Sequence, residues 1–477
     1  ALRMTLALTF DNSYAQLPPR FYTRQSAVPV RAPRLVAWNA ELAQALGING
    51  SADDDTLARI FAGNEAPAGA DPLAQVYAGH QFGGFSPQLG DGRALLLGEV
   101  LDQTGQRRDI QLKGSGPTPY SRMGDGRAWL GPVLREYVVS EAMHALGLPT
   151  TRALAAVETG ERVLRETGAL PGAVLTRVAA SHIRVGTFQY FAARRDLEGL
   201  RALCDHAIAR HYTQVDGPAG LLSAVIDGQA RLIAGWLSVG FIHGVMNTDN
   251  TSISGETIDY GPCAFMDSYH PQTVYSSIDA HGRYSYDNQA HVIVWNMAQF
   301  ATALVPLMPD QDAAIEDFTA LIHAMPERIE AERQRAFCAK IGITDPDADD
   351  AALADDLLAR MAEGRADFTN TFRALSEGGA RDQFLDPTAF DAWEAGWRAR
   401  LAREAAPEAV MRAANPSLIP RNHRVEQMIE AATSGDYTPF ARLMNALSRP
   451  FDDQPEAADL RRPPAASEVV RATFCGT

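Results

Sequence analysis

The sequence predicts an α+β fold in two lobes: a strand-rich first half carrying one long helix, then a helical half. Three observations carry this reading. Residues 77–131 are glycine-rich with strand-like runs, and a helical pattern follows at 132–146. From about residue 181 onward helix-period segments dominate. Strands and helices do not alternate one by one, which argues against a parallel βαβ sheet.

In chain order, the first 70 or so residues hold a polar opening, an extended piece marked by Pro29 and Pro33, and a helix predicted over 36–46. Residues 63–72 read as a turn-rich linker. Residues 94–100 and 108–113 read as two strands of a hairpin turning at Gln103-Thr104-Gly105. In the helix over 132–146, Pro132 suits the first turn, and Gly147 with Pro149 stops it. Strands are expected near 152–157 and 173–178. The apolar stretch 232–242, broken by Gly235, Ser238 and Gly240, is far short of the roughly 20 residues that span a bilayer. It predicts a buried helix leading into His243. A hairpin is predicted across 251–258, turning at Ser254-Gly255-Glu256. Residues 290–445 read as largely helical, and the tail after Pro450 as pinned rather than self-folding. The expected division is an N-terminal extension (1–75), a strand-rich N-lobe (76–180), a helical C-lobe (181–330) and a helical C-terminal extension (331–477).

A chain of 477 residues can bury a large core, and 46% hydrophobic with 21% charged residues places it among ordinary globular proteins. The net charge of −15, with no basic tract, argues against a nucleic-acid partner. Cys204, Cys263, Cys338 and Cys475 form no C-x-x-C pair, so neither a zinc site nor a secreted disulfide framework is indicated. No leader-like pattern of charge then apolar core stands at the start. A cytoplasmic monomer without a membrane partner is the expectation.

The chemistry concentrates in His243-Gly244-Val245-Met246-Asn247-Thr248-Asp249-Asn250, followed nine residues later by Asp259-Tyr260-Gly261. Kinase-like phosphotransferases place a catalytic Asp early in such a loop, a metal-binding Asn at its end and an Asp-aromatic-Gly after it. Here Val245 holds the early position and cannot take a proton, so Asp249 remains as the base. Asn250 and Asp259 offer hard oxygens for Mg²⁺. Lys113 ends a strand, and Glu136 follows 23 residues later on the helix, matching the Lys–Glu pair of kinases. Glu141 is the rival partner.

Gly90-Asp91-Gly92-Arg93 and Asp125-Gly126-Arg127 are tight turns that could bring backbone to a nucleotide or could be plain loops. Arg177 and Arg184, seven residues apart, suit a polyphosphate that guanidiniums grip bidentately, although any single Arg is more often a surface ion pair. Asp345-x-Asp347-x-Asp349 fails as a calcium loop, because Asp350 stands where glycine is required and Asp356 where glutamate is. It reads as an acidic helix start. His80 and His243 read as structural, and Trp393 with Trp397 as core. Cys475 reads as a stray thiol or a redox handle.

Tyr77-Ala78-Gly79-His80-Gln81-Phe82-Gly83, Gln111 through Arg122, the His243 loop, and Ile419-Pro420-Arg421-Asn422-His423 together resemble the selenoprotein O family, and the resemblance spans Phe10 to Cys475. It implies a protein-kinase-like two-lobed fold and a protein adenylyltransferase that moves AMP from ATP to Ser, Thr or Tyr hydroxyls, with ATP flipped relative to kinases. It further implies Asp249 as proton acceptor and Asn250 and Asp259 as Mg²⁺ ligands, with Mn²⁺ as an alternative metal. Gly90, Gly92, Arg93, Lys113, Asp125, Gly126, Arg177, Arg184 and Asp259 would hold the nucleotide, with Glu136 pairing Lys113. The family's redox residue near the C-terminus corresponds to Cys475, and its implied partner here is Cys263, with Tyr275, Ser276 and Ser277 farther on. A γ-phosphoryl kinase and a silent nucleotide-binding pseudokinase scaffold are the competing readings.

Overall fold

The computed structural model describes residues 6–476. The leader reading falls partly on residues 1–5, outside the described residues. Nine strands form one antiparallel sheet: β1 (Tyr22–Arg24), β2 (Arg34–Trp38), β3 (Leu73–Gln81), β4 (Gly84–Gly90), β5 (Ala94–Leu101), β6 (Arg107–Lys113), β7 (Ala128–Trp129), β8 (Arg152–Arg165) and β9 (Gly168–Ala179). The path runs β1-β3-β5-β6-β9-β8-β2, with β4 paired to β3 and β7 to β9.

Both faces of the sheet are covered, which is why its central strands read as nearly continuous apolar runs. Helices α1 (Ala40–Ala45) and α2 (Asp54–Phe61) lay Leu42, Leu57 and Phe61 against Leu97, Ile110 and Val174. On the other face lies α3 (Leu130–Ala145), whose Leu134 and Val138 pack on Ala156 and Leu175. Pro132 sits in its first turn, and Gly147 at φ +83° closes it in the left-handed conformation that glycine adopts without penalty.

The C-terminal half is helical: α4 (Val185–Ala193), α5 (Leu197–His211), α6 (Gly217–Val239), α7 (Gln289–Leu304), α8 (Gln311–Lys340), α9 (Asp350–Glu363), α10 (Phe368–Glu377), α11 (Pro387–Leu401), α12 (Pro407–Ala414), α13 (Asn422–Thr433) and α14 (Thr438–Leu447). The stretch Gln289–Leu307 is long and apolar enough to cross a bilayer, and half of it is buried among the other helices. It is a core helix, with Ile293, Met297 and Phe300 packed inside. Helix α6 delivers the chain as expected. Gly240 ends it at φ +74°, and β10 (Phe241–Ile242) pairs with β11 (Ala264–Phe265). That two-strand clip brackets residues 243–263. Helices α13 and α14 return to the back of α3, where Met428, Phe440 and Leu443 complete its packing. Trp393 and Trp397 stack in the core at 5.2 Å.

Two expectations fail. The helix over 36–46 begins as β2, because Val36 and Trp38 suit a pleated surface and the strand pairs along β8 through Leu35, Ala37 and Trp38, with Val36 at an irregularity in the register. Only after Asn39, whose side chain caps Leu42 N–H at 3.1 Å, does the short α1 form. The hairpin across 251–258 is not a strand pair. Its turn forms at Gly255 (φ +82°), but Ser252 bridges Arg184 and Thr257 bridges Thr150. Hydroxyl bonds such as Ser252 to Ser254 satisfy its polar groups locally, in place of a ladder.

Candidate active site

A cavity of about 920 Å³ takes in every nucleotide, metal and base residue expected above except Glu136, which lies behind Lys113. The sheet register sets its base. Lys113 and Gln111 project from the same face of β6, and Gln111 pairs with Arg177 on β9. Arg177 therefore donates to Gln111 Oε1 at 2.8 Å and to Glu136 Oε1 at 3.1 Å. Lys113 Nζ meets Glu136 Oε2 at 2.7 Å. Glu141, the rival, is engaged by Arg152 at 2.7 Å on the far side of α3. Burial alone would raise the Glu136 carboxyl, but Lys113 and Arg177 hold it below its ordinary value.

Asp259 is the hub of the site. Its Oδ1 accepts from Arg177 at 2.6 Å, its Oδ2 from Arg184, and Lys113 Nζ stands 3.6 Å away. Burial favours its protonation, yet these three cations hold its carboxyl well below the usual carboxylate range. Its backbone adopts φ +62°, a conformation costly for a non-glycine residue and common where a site over-determines the chain. Arg184 also donates to the Asp249 carbonyl at 2.6 Å and lies over the Tyr77 ring at 4.6 Å.

Asp249 follows a different logic. Its side chain is buried, Oδ2 accepts from Gln81 Nε2 at 3.2 Å, and Oδ1 has no hydrogen-bond partner among the described residues. Burial pushes its carboxyl up to about 6, against the Gln81 hydrogen bond and the Arg184 charge. Next to it, Asn250 Nδ2 donates to the Val245 carbonyl at 2.9 Å, which leaves the amide oxygen as the free polar atom of that side chain. The loop is braced by His243, whose Nε2 bonds the Ile258 carbonyl at 2.7 Å while its ring stacks on Trp236. His243 and His80 are structural, as expected.

The glycine turns line the cavity, and their bare backbones have packing causes. A Cβ at Gly90 would press on the Tyr120 ring, and one at Gly92 on the Tyr120 carbonyl. Gly126, at φ +68°, lies flush on Gly116 and accepts its N–H at 2.9 Å. Asp125 pairs with Arg165 at 2.8 Å and caps Arg127 N–H.

The tail reaches the same cavity. Thr473 N–H donates to the Tyr275 carbonyl at 2.7 Å, and Arg93 donates to the Gly476 carbonyl at 2.9 Å. All four cysteines are free thiols, so the pairing of Cys263 with Cys475 is not formed in this structure.

Gln81, Gln111, Tyr77 and the Arg93 contact with Gly476 were not singled out from sequence. The motif holding Gln81 was visible, but its reach across 168 residues to Asp249 was not.

The family profile described as Protein adenylyltransferase SelO matches residues 4–448. The protein nucleotidyltransferase YdiU of Ruegeria pomeroyi is 67% identical over 474 residues, which cover 99% of this chain and 100% of the relative. The namesake from a Jannaschia species is 62% identical over 478 residues, with 99% of each chain covered. That of Bradyrhizobium diazoefficiens is 55% identical over 493 residues, 99% of this chain and 100% of its own. With the Lys113–Glu136 pair, the Asp259 hub and the braced loop in one cavity, the chain belongs to the SelO family of protein adenylyltransferases.

Proposed function

We propose that this chain transfers AMP from ATP to Ser, Thr or Tyr hydroxyls of proteins and releases pyrophosphate. The observation that carries the reading is a single cluster: Lys113, Arg177 and Arg184 gathered on Asp259, in the cavity that Asp249 also lines. Polyphosphate oxygens would take these cations from Asp259, and guanidiniums grip such oxygens bidentately. Held there, the β- and γ-phosphates become the leaving group, and its growing charge meets donors that are already in place. The acceptor oxygen bonds to the α-phosphorus, the bond from that phosphorus to the α,β-bridging oxygen breaks, and pyrophosphate departs. The Asp249 carboxylate takes the hydroxyl proton, and a carboxyl raised to about 6 is a stronger base than an ordinary aspartate while still ionised at pH 7.

The residues present fit a divalent cation. Among the described residues no group of three or more His, Cys, Asp or Glu could form an all-protein cage. The free amide oxygen of Asn250 and the carboxylate of Asp259 are instead the hard, partial set of a Mg²⁺ shared with phosphates. When bound, Mg²⁺ (or Mn²⁺) neutralises phosphate charge as it develops. Asn250 and Asp259 would hold it, and Glu136 keeps Lys113 and Arg177 in place when Asp259 turns to the metal.

The test uses ATP labelled at the α- or the γ-phosphate, incubated with the chain and a protein acceptor. Label on protein from α only is expected. Label from γ only would replace the proposal with phosphoryl transfer, and none from either would favour a nucleotide-binding scaffold.

A further inference from the structure

The hairpin of β3 and β4 does more than edge the sheet: its tip crosses to the loop that carries Asp249. His80 N–H donates to Thr248 Oγ1 at 2.7 Å, and Phe82 N–H donates to Asn247 Oδ1 at 3.1 Å. The same Asn247 oxygen accepts from the Tyr284 hydroxyl at 2.8 Å, and the Tyr284 ring meets that of Phe82. Thr248 Oγ1 donates to Gln189 Oε1 at 2.6 Å, and the Gln189 amide bonds His80 Nδ1 at 2.8 Å, closing a ring of contacts around the tip. Phe82 and Gly83 make the turn at φ +51° and +84°, so the chain spends an unfavourable non-glycine conformation there.

Between these anchors lies Gln81. Its amide is the only side chain among the described residues that donates to the Asp249 carboxylate, and it takes Oδ2 alone. Gly79 lies flush on the same carboxylate, where a Cβ would collide with it. Arg184 reaches the Asp249 backbone carbonyl and not the carboxylate. One oxygen is thus held by Gln81 while the other, buried and unpartnered, is set against Gly79. A neutral amide suits this task. A lysine or arginine there would neutralise the base, and an apolar residue would leave a buried oxygen unheld.

We propose that Gln81 is a positioning residue for AMP transfer, acting through Asp249, with Gly79 as the surface against which the carboxylate is set. This rests on the reading of Asp249 as proton acceptor. The test measures kcat, KM for ATP and pyrophosphate binding for Gln81→Ala, Gln81→Met, Gly79→Ala, Asp249→Asn and the double variant Gln81→Ala/Asp249→Asn, each checked for wild-type thermal unfolding. Misplacing a reacting group by about 1 Å costs about 100-fold, so the Gln81 variants are expected to lose about 10- to 100-fold in kcat, with KM for ATP and pyrophosphate binding within about twofold. The double variant is expected to be no slower than Asp249→Asn, because the two residues act as one unit. A wild-type kcat in both Gln81 variants overturns the proposal, as does a loss that adds in full to that of Asp249→Asn. A wild-type kcat in Asp249→Asn itself overturns the underlying base assignment, and is distinguishable because it is read from that single variant.

Discussion

Replacing Asp259 by Asn should weaken the protein and change what it binds. The carboxylate faces three cations: Arg177 at 2.6 Å, Arg184 in direct contact and Lys113 at 3.6 Å. For the most distant of them, 332/(20 × 3.6) gives about 5 kcal/mol of attraction at an effective dielectric near 20. Asparagine keeps an oxygen for one hydrogen bond but removes the charge, leaving Lys113 and Arg177 to share Glu136, and Arg184 only the fields of Asp91 and Asp249. Breaking a buried pair of this kind costs about 3–5 kcal/mol. In a chain this large, at about 2 °C per kcal/mol, the melting temperature should fall by roughly 6–10 °C. Pyrophosphate without metal restores a negative charge, and at about 100 times its Kd it should return about 2.7 kcal/mol. Thermal unfolding in chelator, with and without pyrophosphate, reads both effects. The gain from pyrophosphate should be larger in the variant than in the wild type, where Asp259 competes for the same cations. Equal melting temperatures, or an equal pyrophosphate gain in the two proteins, would refute the hub.

Other outcomes follow from the same geometry. Glu136→Gln should cost about 100-fold in kcat by freeing Lys113, while Glu141→Gln, whose carboxylate serves Arg152, should keep kcat within about twofold; steady-state transfer from α-labelled ATP separates them. Gly126→Ala places a side chain against Gly116 at φ +68° and should raise KM for ATP about tenfold, read by the same assay. Burial pushes His182 and His206 down to about 4, below the usual value for histidine. Between pH 6.5 and 4 the unfolded chain therefore binds more protons than the folded one, so stability should fall on acidification by up to about 1.4 kcal/mol per pH unit for each group. Denaturant unfolding at pH 7 and 4.5 checks this, and His206→Gln should shallow the dependence.

The parts of the fold and site that were legible in sequence are those written in local spacing. Lys113 at a strand end and Glu136 on the next helix could be paired because only a loop and the short β7 lie between strand and helix. The end of α6 was readable from the apolar run 232–242, whereas Gly240, read as a break within that run, closes the helix. What stayed hidden depends on pairing across the fold. The strand β2 is set by its register with β8, more than 100 residues away, so Val36 and Trp38 were drawn into the neighbouring helix. Residues 251–258 carry strand-like Thr and Ile side chains, but their partners are Arg184 and Thr150, not each other. The glycines of the 90–93 turn suggested an opening for phosphate, whereas the ring and carbonyl of Tyr120 account for them. Gln81 looked like one polar residue in a motif until the hairpin tip was seen against the loop.

The crossing of the β3–β4 tip has a consequence for how the protein comes to be active. His80 and Gln81 meet residues 168 positions later in the chain, so these contacts close only after the intervening strands and helices have found their places. Such non-local contacts are late and entropically costly events in folding. A nascent or partly folded strand lobe can shape its Lys113 side, yet Asp249, the proposed proton acceptor, is not set against it. Transfer activity is therefore tied to completion of both lobes, and an immature chain is silent toward the proteins around it.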